Sequence, residues 1–223
     1  MKVLLGTTNP SKVNRFSNLL KDCEIEFITI KDIKITVEPE ENGKTPEENA
    51  ILKAKFYGQY FDTVICNDSG LYFEELSLND VRQPGLNVRT PMNMERLSDE
   101  QMIDYYSKLI KELGGKVSAF YLDGIAVYNH GKFFSFMDME NARKTGFDMI
   151  DKPAQKYFAG WPLDSLSINR ETKKYFVDEK DTDSKENIFS KQYKKRIVDF
   201  LKKALDIDVK NKDSFRLSEH VNK

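Results

Sequence analysis

Three stretches of the sequence place phosphate-handling and metal-handling residue types at short spacings. In Gly6-Thr7-Thr8-Asn9-Pro10-Ser11-Lys12, an apolar run ends at a glycine, with Asn9 available as a helix N-cap and Pro10 at the first helical position. Such a loop turns backbone N–H groups and a favourable helix dipole toward an anion, and Lys12, one turn in, adds a point charge. It is not a Walker A loop, because the second glycine is missing and Val13 follows the lysine. Alone, it reads at least as well as a capped helix with a surface lysine. The second stretch, residues 38–55, is an acidic loop carrying Glu38, Glu40 and Glu41, followed by a helix with Asn49 and Lys53 one turn apart. The loop can present one carboxylate to a metal; a solvated acidic loop is the plainer alternative. The third, Val64-Ile65-Cys66-Asn67-Asp68-Ser69-Gly70-Leu71, ends a buried strand in a carboxylate, a hydroxyl and a glycine that permits a tight turn. Asp, Ser and Gly also favour ordinary turns for conformational reasons.

The elements that must position these residues follow from periodicity and punctuation. Residues 2–6 read as a buried strand, Pro10 starts a helix reaching about Leu20, and residues 24–30 read as a second, partly buried strand. Thr45-Pro46-Glu47-Glu48 is a strong helix start, with Thr45 as N-cap, Pro46 at the first position and Glu48 closing a capping box. Ala50, Ile51, Ala54 and Tyr57 or Gly58 give this helix an apolar face of small residues. Residues 63–66 form a short strand that delivers Asp68 at its carboxyl end, where open α/β sheets place ligands. Ser98 or Asp99 caps a helix that stops at Gly114-Gly115. Residues 117–129 and 132–139 form a hairpin around Asn129-His130-Gly131. Residues 156–168 are irregular and 173–177 form a short strand. A last helix begins at Asp183 or Ser184, with Phe189, Tyr193, Ile197, Leu201 and Ala204 recurring along it. The expected fold class is α/β, a mixed sheet flanked by helices, with a bilobed variant that puts the active site in the cleft between lobes. Residues 1–205 make one domain, and 206–223 a polar tail.

Composition narrows the chemistry. The 223 residues include 35 basic and 36 acidic side chains for a formal net charge of −1, with 12% aromatic residues. That suits a folded, soluble protein and lacks the electrostatic footprint of a nucleic-acid binder. The amino-terminal apolar run is too short for a membrane span or signal peptide. Cys23 and Cys66 form no metal-spaced pair, so the expected setting is reducing and cytoplasmic. With His130 and His220 as the only histidines, a multi-histidine metal centre is excluded. Any metal must be held by carboxylates, which suit Mg²⁺ or Mn²⁺.

Taken together, the three stretches resemble the inosine triphosphate pyrophosphatase family. Its Thr-x-Asn-x-x-Lys is matched by residues 7–12, and its Glu-x-Gly-x-Thr-x-x-Glu-Asn-Ala-x-x-Lys-Ala by residues 41–54. Its acid followed by Ser-Gly-Leu appears at Asp68-Ser69-Gly70-Leu71, and its Pro-Gly with a nearby Arg at Pro84, Gly85 and Arg89. The resemblance implies hydrolysis of a nucleoside triphosphate between the α- and β-phosphates, on a purine such as inosine or xanthosine triphosphate, by a homodimer. It implies Mg²⁺ (with Mn²⁺ as substitute) on Glu41 and Asp68, and Asp68 as the catalytic group that activates water. It places the substrate against Thr7, Thr8, Asn9, Lys12, Lys53 and Ser69, and extends to Trp161, Asp164 and Lys191 near the base. Two departures stand out. Asn67 replaces the first acid of the family's acidic pair. In the carboxyl half, Phe158-Ala159-Gly160-Trp161-Pro162-Leu163-Asp164 displaces an aspartate, Ser190-Lys191-Gln192 replaces Ser-His-Arg, and Glu186, beside Lys185, stands where a lysine is expected. These departures keep open a nucleotide-binding protein without turnover and a pyrophosphatase with another base preference.

Overall fold

The computed structural model describes residues 1–33, 35, 37–179 and 188–207. The strands are β1 (Lys2–Leu5), β2 (Glu26–Thr29), β3 (Thr63–Phe73), β4 (Lys116–Asn129), β5 (Lys132–Met137), β6 (Phe147–Ile150) and β7 (Ser167–Ile168). The helices are α1 (Pro10–Leu19), α2 (Pro46–Tyr57), α3 (Asp99–Glu112), α4 (Met139–Lys144) and α5 (Ile188–Ala204). The strands form one mixed sheet in the order β2-β1-β3-β4-β6-β7, with β5 paired to β4. This is the expected α/β class. Strand β1 is parallel to β2 and β3, whereas β4 is antiparallel to β5 and β6.

Two compact units divide the described residues: one lies within 1–68, 123–137 and 192–207, and the other within 69–122, 138–179 and 188–191. The first unit is built on local signals. Asn9 caps α1 by accepting the Ser11 N–H, and Thr45 caps α2 by accepting that of Glu48, each with proline directly after the cap. The expected capping box is altered: the Glu48 carboxylate accepts from Lys44 N at 2.6 Å, one residue upstream of the usual partner. Ala50, Ala54 and Tyr57 bury the small-residue face of α2 against Leu4, Val64, Cys66 and Ala126. The small Ala50 and Ala54 allow close contact, and at the start of α2 Gly124 on β4 comes closer still: a Cβ there would lie 2.0 Å from the Pro46 carbonyl carbon. The hairpin turns at His130 and Gly131, both at positive φ. On α5, Tyr193, Ile197, Leu201 and Ala204 are buried as expected, while Phe189 is exposed. Asn129 closes the end of α5 by donating to the Ala204 carbonyl at 3.0 Å.

In the second unit, α3 has the capping box Ser98–Gln101 and stops at Gly114 and Gly115, both at positive φ. It packs Met102, Tyr106, Leu109 and Ile110 against Leu71, Phe73, Val117, Ala119, Phe147 and Met149.

Four expectations are corrected. Strand β3 does not stop at Cys66 but runs eleven residues through Asp68-Ser69-Gly70. The apolar residues 71–73 continue into the core, and Gly70 lets the backbone of Gly85 approach within the space a Cβ would fill. The hairpin ends at Met137 because Asp138 caps α4, which leads into β6. The irregular 156–168 segment contains a short 3-10 turn at Pro162–Ser165 and the two-residue β7. Residues 173–177 are not a strand: Lys173 takes positive φ and Phe176–Asp178 is a 3-10 turn. The expected start of the last helix at Asp183 or Ser184, Lys185, Glu186 and the tail beyond 207 lie outside the described residues.

Candidate active site

Five residues from α1, α2, β3 and the acidic loop converge in the first unit. Lys53, on the third turn of α2, reaches Glu41 Oε2 at 2.6 Å and Asp68 Oδ1 at 3.7 Å. Lys12, on the first turn of α1, approaches the same Oδ1 at 3.8 Å and donates to the Asn67 carbonyl at 3.3 Å. Asn49, one turn before Lys53, donates its amide N–H to Asp68 Oδ2 at 2.8 Å and accepts from Gly43 N at 2.8 Å. That one amide therefore ties the acidic loop to β3. Its orientation is set by its partners, since the carboxylate must accept and the backbone N–H must donate.

Electrostatics follow from this geometry. Two ammoniums and two carboxylates neutralise one another. The Lys53 side chain is 10% exposed, that of Asp68 16% and that of Glu41 46%. Burial lowers the pKa of Lys12; Asp68 opposes that shift and the neighbouring Lys53 reinforces it. Cys66, beneath the site, is pushed up to about 12, chiefly by burial, and is an inert thiol.

The remaining expected residues have these places. Asn9 Oδ1 caps α1, Thr7 Oγ1 accepts from Asn9 N, and Asn9 and Thr8 are exposed. Ser69 follows Asp68 within β3, part-buried. Trp161 is 51% exposed and shares a turn with Asp164, whose N–H donates to the Trp161 carbonyl. Burial raises Asp164 to about 6. That turn is held by Asp99, which accepts from Gly160 N at 2.6 Å and from Arg89 at 2.9 Å. Lys191 is exposed in the first turn of α5.

Two residues escaped the sequence reading. Arg15 and Asp123 form a two-pronged ion pair, Nη1 to Oδ1 at 2.7 Å and Nη2 to Oδ2 at 2.6 Å. A signal was present: Asp123 interrupts the apolar run Phe120-Tyr121-Leu122 before Gly124-Ile125, and a carboxylate inside a buried strand calls for a partner.

As to a metal, the donors available at Glu41 and Asp68 are hard carboxylate oxygens, of the kind that Mg²⁺ and Mn²⁺ take. Among the described residues, no three His, Cys, Asp or Glu side chains gather into an all-protein cage. Two hard carboxylates converging on one cationic point suit Mg²⁺, which holds few protein ligands and completes its shell with water and phosphate.

Residues 3–142 match the Ham1 family. Curated relatives include the dITP/XTP pyrophosphatase of Thermoanaerobacter pseudethanolicus, 38% identical over 39% of this chain and 42% of the relative. That of Leptospira interrogans is 42% identical over 31% and 36%. Thus the match spans about two fifths of the length of these relatives. The dITP/XTP pyrophosphatase of Malacoplasma penetrans is 33% identical over 61% of this chain and 68% of its own. Among solved structures, the Ham1 protein of Coxiella burnetii superposes with a TM-score of 0.69 at 20% identity, covering 91% of this chain and 99% of that one. The Staphylococcus aureus Ham1 protein gives 0.66 at 21%, covering 91% and 98%. Shared over more than half its length with this family and folded as its structures are, the chain belongs to the Ham1 family.

Proposed function

We propose that this protein is a nucleoside triphosphate pyrophosphohydrolase that cleaves between the α- and β-phosphates, yielding a monophosphate and pyrophosphate. One observation carries the reading: Lys12 and Lys53, from different helices, meet at Asp68 with Glu41 opposite. The four charges cancel, so the site has no surplus to attract a tetraanionic triphosphate until a divalent cation is added. Glu41 and Asp68 would hold Mg²⁺, which supplies charge neutralisation and a more acidic water when bound. Lys12 and Lys53 bind and orient phosphate oxygens, and positioning is much of what phosphoryl chemistry requires. In this reading the Asp68 carboxylate, oriented by the Asn49 amide on Oδ2, also takes a proton from the attacking water. The names of the relatives support inosine- or xanthosine-type bases as substrates. A homodimer and a cytoplasmic setting are part of the same proposal. Among the described residues, no helix is long and apolar enough to cross a membrane.

A second reading, nucleotide binding without turnover, draws on Asn67, an amide in the position of an acid and buried at 2% exposure. A panel of nucleotides with Mg²⁺, resolved for monophosphate and pyrophosphate, separates the two. Turnover is expected, lowered roughly 10²–10⁴-fold by Asp68→Asn. Orthophosphate as the sole product, or an unimpaired variant, contradicts the mechanism; tight binding with no product favours the second reading.

A further inference from the structure

The part-buried pair Arg15–Asp123 has no part in the chemistry above, yet two supports of Lys12 lead back to it. Arg15 lies three residues beyond Lys12 on α1, so the two side chains share one face of the helix. The guanidinium is fixed by both oxygens of Asp123, and a fork of this kind sets orientation as well as distance. Fixing Arg15 therefore fixes the roll of α1, and with it the direction in which the Lys12 stem leaves the helix. The second support is the Asn67 carbonyl, to which Lys12 Nζ donates.

Asn67 is in turn oriented from below. Its Nδ2 faces three acceptors: the Asp68 carbonyl at 2.8 Å, the Gly124 carbonyl at 3.0 Å and Asp123 Oδ1 at 3.3 Å. Its own Oδ1 is buried without a partner among the described residues. Three acceptors around one nitrogen fix the orientation of the amide, and a carboxylate at 67 would set one of its oxygens against all three. The negative charge here is carried on β4 at Asp123, 5% exposed, and is answered by Arg15.

We propose that Asp123, acting through Arg15 and Asn67, is a positioning residue for Lys12. It touches neither phosphate nor metal; it holds the ammonium where a triphosphate oxygen meets it. This rests on the pyrophosphohydrolase reading above. The test is a double-mutant cycle on kcat/KM for triphosphate cleavage, using wild type, Asp123→Asn, Lys12→Ala and the double variant. Asp123→Asn removes the charge that fixes Arg15 while keeping the side-chain shape, and roughly 10²-fold loss is expected, the scale of a small misplacement at a reacting centre. In the Lys12→Ala background the same substitution loses less than about three-fold, because the group it positions is gone. A purely structural role would instead cost the same factor in both backgrounds, and that result overturns the proposal, as does a fully active Asp123→Asn. Should Asp123→Asn fail to fold, Arg15→Lys leaves Asp123 paired by one ammonium in place of the fork. It is expected to keep near-normal melting, to lose about ten-fold in kcat/KM, and to show the same dependence on Lys12. A wild-type chain that cleaves no triphosphate overturns the underlying reading; an active wild type with an additive cycle overturns the positioning role alone.

Discussion

Replacing Asp164 by asparagine isolates what a desolvated carboxylate does to this fold. Asp164 sits in a turn with Pro162, Leu163 and Ser165, all buried, and desolvation raises it from 3.8 to about 6. A raised carboxylate keeps its proton in the folded state over a window where the unfolded chain has released it. Stability therefore falls as pH rises from about 4 through 6, and above that the full cost is present. The displacement from 3.8 to about 6 corresponds to at most roughly 3 kcal/mol. The substituted amide carries no charge at any pH, so Asp164→Asn should match wild type below pH 4 and exceed it by up to about 3 kcal/mol at pH 7.5. Urea unfolding of both proteins across pH 4–8 measures this directly. A difference independent of pH, or a less stable variant at pH 7.5, would show that the ionised carboxylate has a partner and that burial is not its dominant environment.

Three further outcomes follow from the first unit. Lys53→Met leaves Glu41 and Asp68 facing each other without their shared cation; stability should drop by about 2–3 kcal/mol at neutral pH, less than for a fully buried pair because Glu41 is half exposed, and millimolar Mg²⁺ should restore much of it in a thermal melt. Asn49→Asp sets a second carboxylate against Asp68 Oδ2, so the variant should lose roughly 10²-fold in kcat and be destabilised increasingly as pH rises through the carboxylate range, which activity and melting profiles from pH 4 to 8 will show. Gly124→Ala drives a methyl group into the backbone at Pro46 and Glu47, and should cost at least about 3 kcal/mol, read from chemical denaturation.

What could be read from the chain alone depended on distance along it. The starts of α1, α2 and α3 are announced by Asn9-Pro10, Thr45-Pro46 and Ser98 within a few residues, and all three caps form. Lys12, Asn49, Lys53 and Asp68 were legible because each sits in a short ordered motif on one of the elements that build the first unit. Arg15 and Asp123 were not, since they lie 108 residues apart and only the tertiary fold brings them together. Helix α4 and strand β6 were missed for a related reason: β6 is four residues long and held largely by pairing with the first half of β4, which no local periodicity reports. The Lys173 error came from backbone conformation, a positive φ at a residue type that seldom adopts one.

The Asn49 amide also has a consequence for how a metal would be captured. By pinning Gly43 to α2 it fixes the carboxyl end of the acidic loop, and Glu41 lies two residues upstream of that pin. Two residues of extended chain reach about 7 Å, so the Glu41 carboxylate explores a small volume around Asp68 rather than the whole sweep of a loop. Its effective concentration there is that of a short tether, so at the proposed metal site a cation held by Asp68 would meet its second ligand as an intramolecular step. Affinity for such an ion would then depend on the length of chain between 41 and 43 more than on the residues that precede it.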